Sequence, residues 1–253
     1  MSVLAVIPAR LGATRLPRKP LRLLGGAPLI VRVWERVCSL GVADQVVVAT
    51  DSAEVARAVA AVGGQAVLTD ASHPSGTDRV AEVAARRDFA SHDVVLNVQG
   101  DEPFAHAEAM RGALRMVRDE GFPLGSAASL AEPELLADPN VVKVVCADDG
   151  RALYFSRAPI PYLRDAADAP SLRGLVRRHI GIYAYTPDAL REWVRLPVHP
   201  LEQAERLEQL RPLAAGVAMG IATVAEPPAG GIDTETDLAR ANAHWDDLYA
   251  GRT

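Results

Sequence analysis

Five cations, Arg10, Arg15, Arg18, Lys19 and Arg22, fall within thirteen residues behind an apolar run, Val3 to Ile7, that stops at Pro8. Arginine offers a planar fork of donors and lysine a compact point charge, and both suit phosphate oxygens. Gly12 lets the backbone approach a ligand closely. A solvated basic loop has the same composition. What sets this one apart is its place after the first apolar strand, because α/β proteins bind ligands at the carboxyl ends of strands. No Gly-x-Gly-x-x-Gly follows that strand, which disfavours a dinucleotide-binding redox enzyme, and no Gly-Lys-Ser/Thr marks a Walker loop. A polyphosphate would therefore be held here mainly by side-chain cations.

Carboxylates supply the complementary chemistry. In Asn97-Val98-Gln99-Gly100-Asp101-Glu102-Pro103 a valine strand ends in a glycine turn that carries two acids. Asp101 there is placed to bind a divalent cation, and Mg²⁺ uses one or two carboxylates together with substrate phosphates. Asp233, in Ile232-Asp233-Thr234 after Pro227 to Gly231, reads alone as an acid near a helix N-terminus. Paired with Asp101 it becomes a second ligand. In His73-Pro74-Ser75-Gly76-Thr77, Ser75, Gly76 and Thr77 offer hydroxyl and backbone donors at a helix start, for an anion or a base edge, while Ser75 or Thr77 can also cap the helix. Arg157 ends a strand and is followed by Pro159 and Pro161, and His179 opens another. Both are candidates for an acidic substrate. His179 reads equally as a satisfied polar residue at a strand start, and a neutral His can donate to hydroxyls. Glu208 follows Leu201 by seven residues and Ala204 by four, so in one helix it would share their face and need partners there. No covalent nucleophile is called for.

The elements that must position these groups alternate. Strands are expected at Val3–Ile7, Gln45–Thr50, Ala66–Leu68, Val94–Val98 and Gly125–Leu130. Helices are expected at Leu29–Leu40, Ala53–Val62, Thr77–Arg87 and Ala107–Glu120. Pro28 suits the first turn of one helix, Asp51 and Ser52 the cap of the next, and Gly41 and Gly63-Gly64 their ends. Such alternation predicts a parallel sheet with helices on both faces. After about Glu132 the pattern changes. Val141–Cys146 and Ala152–Ser156 flank Asp148-Asp149-Gly150, a hairpin signal, and the polar segment 165–174 reads as a loop. Ile180–Tyr185 is a strand, and Pro187–Leu196 and Pro200–Leu213 are helices. Met219–Val224 returns as a strand and Thr236–Tyr249 closes as a helix. The expected fold is α/β: a Rossmann-like, mostly parallel core of residues 1–131 and 214–253, with a partly antiparallel α+β subdomain of residues 132–213 inserted.

Bulk properties narrow the class. The chain has 253 residues, 49% hydrophobic and 23% charged, an ordinary globular composition for one α/β domain with a subdomain. A formal net charge of −5 argues against a nucleic-acid partner. Cys38 and Cys146 sit in apolar patterns and read as small buried hydrophobes, with no zinc spacing, so a reducing compartment is expected. The first apolar run is too short for a signal peptide, and no stretch approaches the ~18–20 apolar residues of a membrane span. A cytoplasmic protein without membrane insertion is expected.

In sequence order, Ile7-Pro8-Ala9-Arg10, Arg15 to Pro20, Ala49-Thr50-Asp51, His73 to Arg79, Asn97 to Pro103, Phe155-Ser156-Arg157, Arg178 to Tyr183, Leu201-Glu202-Gln203 and Leu207 to Arg211 together resemble the 3-deoxy-manno-octulosonate (KDO) cytidylyltransferases. The resemblance runs from about residue 3 to residue 238. It implies transfer of CMP from CTP to KDO, an eight-carbon acid sugar, with pyrophosphate leaving. It further implies that Arg10, Arg15 and Lys19 clamp the triphosphate, with Pro8, Ala9 and Gly100 beside it and Ser75 and Gln99 at the cytidine end. Asp101 and Asp233 would hold Mg²⁺, with Lys19, Asp101 and Asp233 as the catalytic set. Arg157, His179, Tyr183, Glu208 and Gln209 would face the sugar, and a homodimer would form through the subdomain. Arg18 departs from the pattern, standing where the family often has Gly. Rival readings are a cytidylyltransferase for 8-amino-KDO or sialic acid, and a silent nucleotide-binding regulator, which the presence of both Asp101 and Asp233 disfavours.

Overall fold

A strand that is apolar on both faces needs cover on both, and Val3–Ala9 is such a strand, with all 7 residues buried. The computed structural model describes residues 1–12, 15–131, 133–165, 173–225 and 230–246. Two compact units are formed, one by Met1–Ala107 with Pro228–Thr253 and the other by Glu108–Pro227.

In the first unit the strands are β1 (Val3–Ala9), the short pair β2 (Leu23–Leu24) and β3 (Ala27–Pro28), β4 (Gln45–Thr50), β5 (Gln65–Leu68) and β6 (Val94–Asn97). The order β6-β1-β4-β5 is parallel throughout. Ala9 lies opposite Thr50, and Val6 opposite Asn97, so the chain leaves all three strands at one end of the sheet. From β1 the chain moves outward to β4 and β5, then returns to the far side of β1. The β1–β6 boundary is thus the topological switch point, where α/β sheets bind ligands.

The helices are α1 (Leu29–Ser39), α2 (Ala53–Ala60) and α3 (Gly76–Ala85), with a later helix, Glu235–Ala243, from the C-terminal segment. Right-handed crossovers put α1 and α2 on one face and α3 on the other. Ser52 caps α2, accepting from the Glu54 and Val55 N–H groups, and Gly63 at φ 81° ends it, as expected. Asp51 does not cap; it accepts instead from Arg79 and Leu11. Cys38 corrects the reading of a buried hydrophobe. It is exposed, because the buried stripe of α1 runs through Ile30, Val33 and Val37 and the next residue turns about 100° away.

The second unit holds α4 (Ala107–Arg118), β7 (Leu124–Leu130), β8 (Lys143–Cys146), β9 (Ala152–Ser156), β10 (Arg177–Tyr185), α5 (Pro187–Arg195), α6 (Pro200–Glu205), α7 (Leu210–Ala214) and β11 (Met219–Val224). β11 pairs parallel to β7, and β10 pairs antiparallel to β7 and β8. β8 and β9 form the expected hairpin, turning at Gly150 with φ 83°. The mostly parallel α/β class with some antiparallel strands therefore holds.

One expected helix is two. Pro200–Leu213 breaks after Glu205, where Arg206 takes a left-handed conformation at φ 56°. Pro212 explains the break: it has no N–H and would disrupt a continuous helix, whereas in the first turn of α7 no intrahelical bond is lost. Arg211 then reaches back to Glu202 through two hydrogen bonds of 2.7 and 2.8 Å. The closing helix, α8 (Glu235–Ala243), is shorter than expected, and residues 247–249 of that expectation lie outside the described residues. So do 166–172 of the expected loop and 226–229 before Asp233. No helix among the described residues is long and apolar enough to cross a membrane.

Candidate active site

At the switch point the first unit encloses a cavity of about 340 Å³. Its walls are the exit of β1 (Pro8, Ala9, Arg10), the basic loop (Arg15, Leu16, Lys19, Pro20), the entry to α3 (His73 to Gly76, with Arg79), the turn after β6 (Gln99, Gly100, Asp101) and Asp233. Every residue expected to bind nucleotide or metal is on this surface. Leu16, Pro20, His73, Pro74 and Arg79 were not anticipated there.

Close packing fixes the carboxylates. A Cβ on Gly100 would lie 2.5 Å from the Pro8 carbonyl oxygen, so only glycine lets this turn press against β1. The Ile232 N–H donates to the Asp101 carbonyl at 2.9 Å, and Gly231 lies against Glu102. Two segments far apart in sequence thereby bring Asp101 and Asp233 onto one atom. Lys19 Nζ donates to Asp101 Oδ2 at 2.5 Å and to Asp233 Oδ1 at 2.8 Å, and Arg15 reaches Asp233 Oδ2 at 3.2 Å. Burial works against the Lys19 ammonium, but Asp101 and Asp233 outweigh it and hold its pKa above the ordinary lysine value.

The five cations divide by role. Arg18 pairs with Glu54 at 2.6 Å and Arg22 with Glu235, both outside the cavity wall. Arg10, Arg15 and Lys19 line it. Arg18 sits at φ 56° and ψ 32°, a left-handed backbone that favours glycine.

The α3 side of the cavity is cross-linked by hydrogen bonds. Ser75 caps the helix, accepting from the Asp78 N–H at 3.2 Å and donating to Asp78 Oδ2 at 2.6 Å, while also facing the cavity. Arg79 is only 3% exposed. It donates to Thr69 and, at 3.3 Å, to Asp51 Oδ2, whose other oxygen accepts from the Leu11 N–H at 3.3 Å. Arg79 lies four residues after Ser75, one helical turn on, and that spacing was the signal for it. His73 Nε2 lies 2.7 Å from Glu82 Oε2. Burial pushes the Glu82 carboxyl up, but Arg86, the Asp70 N–H and His73 prevail and bring it down to about 2.

The expected sugar-facing residues all lie in the second unit. His179 sits between Phe155 and Tyr183, ring centroids 4.9 and 5.5 Å away. Ser126 Oγ donates to the Ile182 carbonyl at 2.7 Å and lies 2.9 Å from His179 Nε2, within hydrogen-bond reach. Burial lowers the His179 pKa to about 3. The register of β10 against β7 shifts between Ile180 and Tyr183, and Ser126 pairs with Tyr183 just past the shift. Burial raises the Tyr183 pKa well above the ordinary value, reinforced by Tyr185 and by the charge of Glu208. Arg157 is tied down: its Nε donates to the Glu205 carbonyl and an η nitrogen to the Pro139 carbonyl, each at 2.8 Å. Gln209 is buried ahead of α7. Glu208 lies past the break, so it shares no helical face with Leu201 and Ala204, which are themselves exposed.

Known proteins resemble this chain in sequence and fold. The pattern of the family described as Cytidylyltransferase matches residues 4–220. A 3-deoxy-manno-octulosonate cytidylyltransferase of Gemmatimonas aurantiaca is 63% identical, over 100% of this chain and 98% of its own. One of the same name from Methylococcus capsulatus is 48% identical, over 98% and 97%. A solved structure of CMP:2-keto-3-deoxy-manno-octonic acid synthetase complexed with CTP superposes with a TM-score of 0.89 at 39% identity, covering 98% of this chain and 99% of that one. A 4-diphosphocytidyl-2C-methyl-D-erythritol synthase from Anaerococcus prevotii, 14% identical with a TM-score of 0.62, shares the fold. With a cation-lined cavity at the switch point and full-length identity to named relatives, the chain belongs to the cytidylyltransferase family of nucleotidyltransferase enzymes, among the 3-deoxy-manno-octulosonate cytidylyltransferases.

Proposed function

We propose that the protein transfers CMP from CTP to the anomeric hydroxyl of KDO, giving CMP-KDO and pyrophosphate, in the cytoplasm and in support of lipopolysaccharide synthesis. The observation that carries this reading is the convergence of Asp101 and Asp233 on one cationic atom, in a cavity that also presents Arg10 and Arg15. The anomeric oxygen bonds to the α-phosphorus in line, the bond from that phosphorus to the β-phosphate bridge breaks, and pyrophosphate leaves with its electron pair. The hydroxyl proton passes to solvent.

In this reading Arg10, Arg15 and Lys19 hold the triphosphate, with Pro8, Ala9 and Gly100 beside it, and Ser75 and Gln99 meet the cytidine. Phosphoryl transfer needs positioning and charge stabilisation more than a covalent partner. No group of three or more metal-ligating side chains stands together among the described residues. Two carboxylates converging on a cation still suit Mg²⁺, which completes its shell with substrate phosphates and water. Asp101 and Asp233 are its proposed ligands. When bound, it neutralises charge developing on the phosphates. Arg157, His179, Tyr183, Glu208 and Gln209, within a sugar-binding and dimerisation subdomain of residues 132–213, are proposed to face KDO in a homodimer. His179 would act as a neutral hydrogen-bonding group.

The test is product formation from CTP and Mg²⁺ with KDO, 8-amino-KDO or sialic acid as acceptor. CMP-KDO is the expected main product. Transfer only to another acid sugar would overturn the acceptor assignment. Unchanged pyrophosphate release by Asp101→Ala would overturn the metal assignment.

A further inference from the structure

Lys19 sits between the two carboxylates proposed to hold the metal. Its Nζ lies 2.5 Å from Asp101 Oδ2 and 2.8 Å from Asp233 Oδ1, and its side chain, 17% exposed, is better shielded than either carboxylate, at 29% and 43%. The backbone holds it there. Leu21 N–H to Arg18 and Arg22 N–H to Lys19 close a tight turn around it, and the flanking Arg18 and Arg22 are tied to Glu54 and Glu235. An ammonium that already bridges both carboxylates competes with a magnesium ion for them. Mg²⁺ needs oxygens at about 2.0–2.1 Å in a near-octahedral shell, and the two cations would repel at contact distance. A triphosphate in the cavity would give the Lys19 ammonium other anionic partners.

We infer that Lys19 is a resident counter-ion that keeps the metal site closed in the free protein, and that the triphosphate opens it by drawing the ammonium onto its own oxygens. The inference rests on the metal reading above and deepens it. Metal and nucleotide become positively coupled through one side chain, and because coupling is reciprocal each strengthens the other by the same factor. Free Mg²⁺ then gains little hold on the empty protein, and the two carboxylates are never left facing each other unneutralised.

The experiment measures Mn²⁺ binding to the full-length protein by electron paramagnetic resonance without nucleotide. The parent is compared with Lys19→Met, which keeps the length and removes the charge, and with Lys19→Gln, which keeps a donor and removes the charge. Both variants are expected to bind Mn²⁺ at least tenfold more tightly than the parent. Equal or weaker binding in both, while the parent still takes up Mn²⁺ through Asp101 in the presence of CTP, overturns the inference alone. Mn²⁺ uptake by the parent with CTP that Asp101→Asn leaves unchanged overturns the metal reading and the inference with it.

Discussion

The His179 ring is neutral when folded, because burial lowers its pKa from 6.5 to about 3. As the pH falls below 6.5 the unfolded chain takes up a proton that the folded chain refuses. Stability therefore declines with acidity across the window from 6.5 down to about 3, by up to about 1.4 kcal/mol per pH unit, and the slope ends below it. His179→Gln keeps a hydrogen-bonding group for Ser126 and has no charge to gain. Urea denaturation at about pH 7 and about pH 4.5 should show the variant losing less stability between the two, by up to roughly 2–3 kcal/mol. An identical loss in both proteins would place the acid sensitivity elsewhere. The carboxylate pair sets activity in a different way. Asp233→Asn should lower CMP transfer by at least about a hundredfold, the scale for removing a charge-stabilising group from such a site. It should leave the melting temperature close to that of the parent.

At the scale of elements, the end of β1 and the turn after β6 meet without a spare atom. Gly100→Ala would drive a Cβ into the Pro8 carbonyl, and neither backbone can yield cheaply. A loss of about 1–3 kcal/mol in stability is expected, the usual range for overpacking, together with weaker CTP binding. Denaturation and nucleotide titration of the same variant check both, and a variant as stable as the parent would show that the turn can move. Elements of this kind were legible where the signal was local: the apolar β1, the Ser52 and Ser75 caps, and the Asp148-Asp149-Gly150 hairpin. The helix over residues 200–213 was misread because apolar spacing outvoted Pro212. Arg18 in a left-handed turn, and the burial of Arg79 against Thr69 and Asp51, depend on partners far off in sequence that periodicity does not report. Asp101 and Asp233 stood out as residues, yet their convergence comes from the Ile232–Asp101 backbone bond.

For the molecule as a whole, the first unit is built from both ends of the chain, and its C-terminal segment supplies Asp233, the Glu235 partner of Arg22, and Trp245, which stacks under Arg32 at 4.8 Å and near Phe104 at 6.2 Å. Ending the chain after residue 227 removes all three. Such a chain should lack CMP transfer and melt well below the parent, whereas Asp233→Asn loses transfer alone. Calorimetry beside an activity assay separates the two, and a truncated chain melting with the parent would show that the C-terminal segment adds nothing to the unit's stability. A further consequence concerns synthesis on the ribosome. The cations of the basic loop are translated well before Asp233 and Glu235, so a chain stalled between them carries Arg15 and Arg22 without their partners and Lys19 with only one of its two. Until the segment carrying Asp233 and Glu235 docks, that loop has more uncompensated positive charge to offer a polyphosphate than it has in the folded protein.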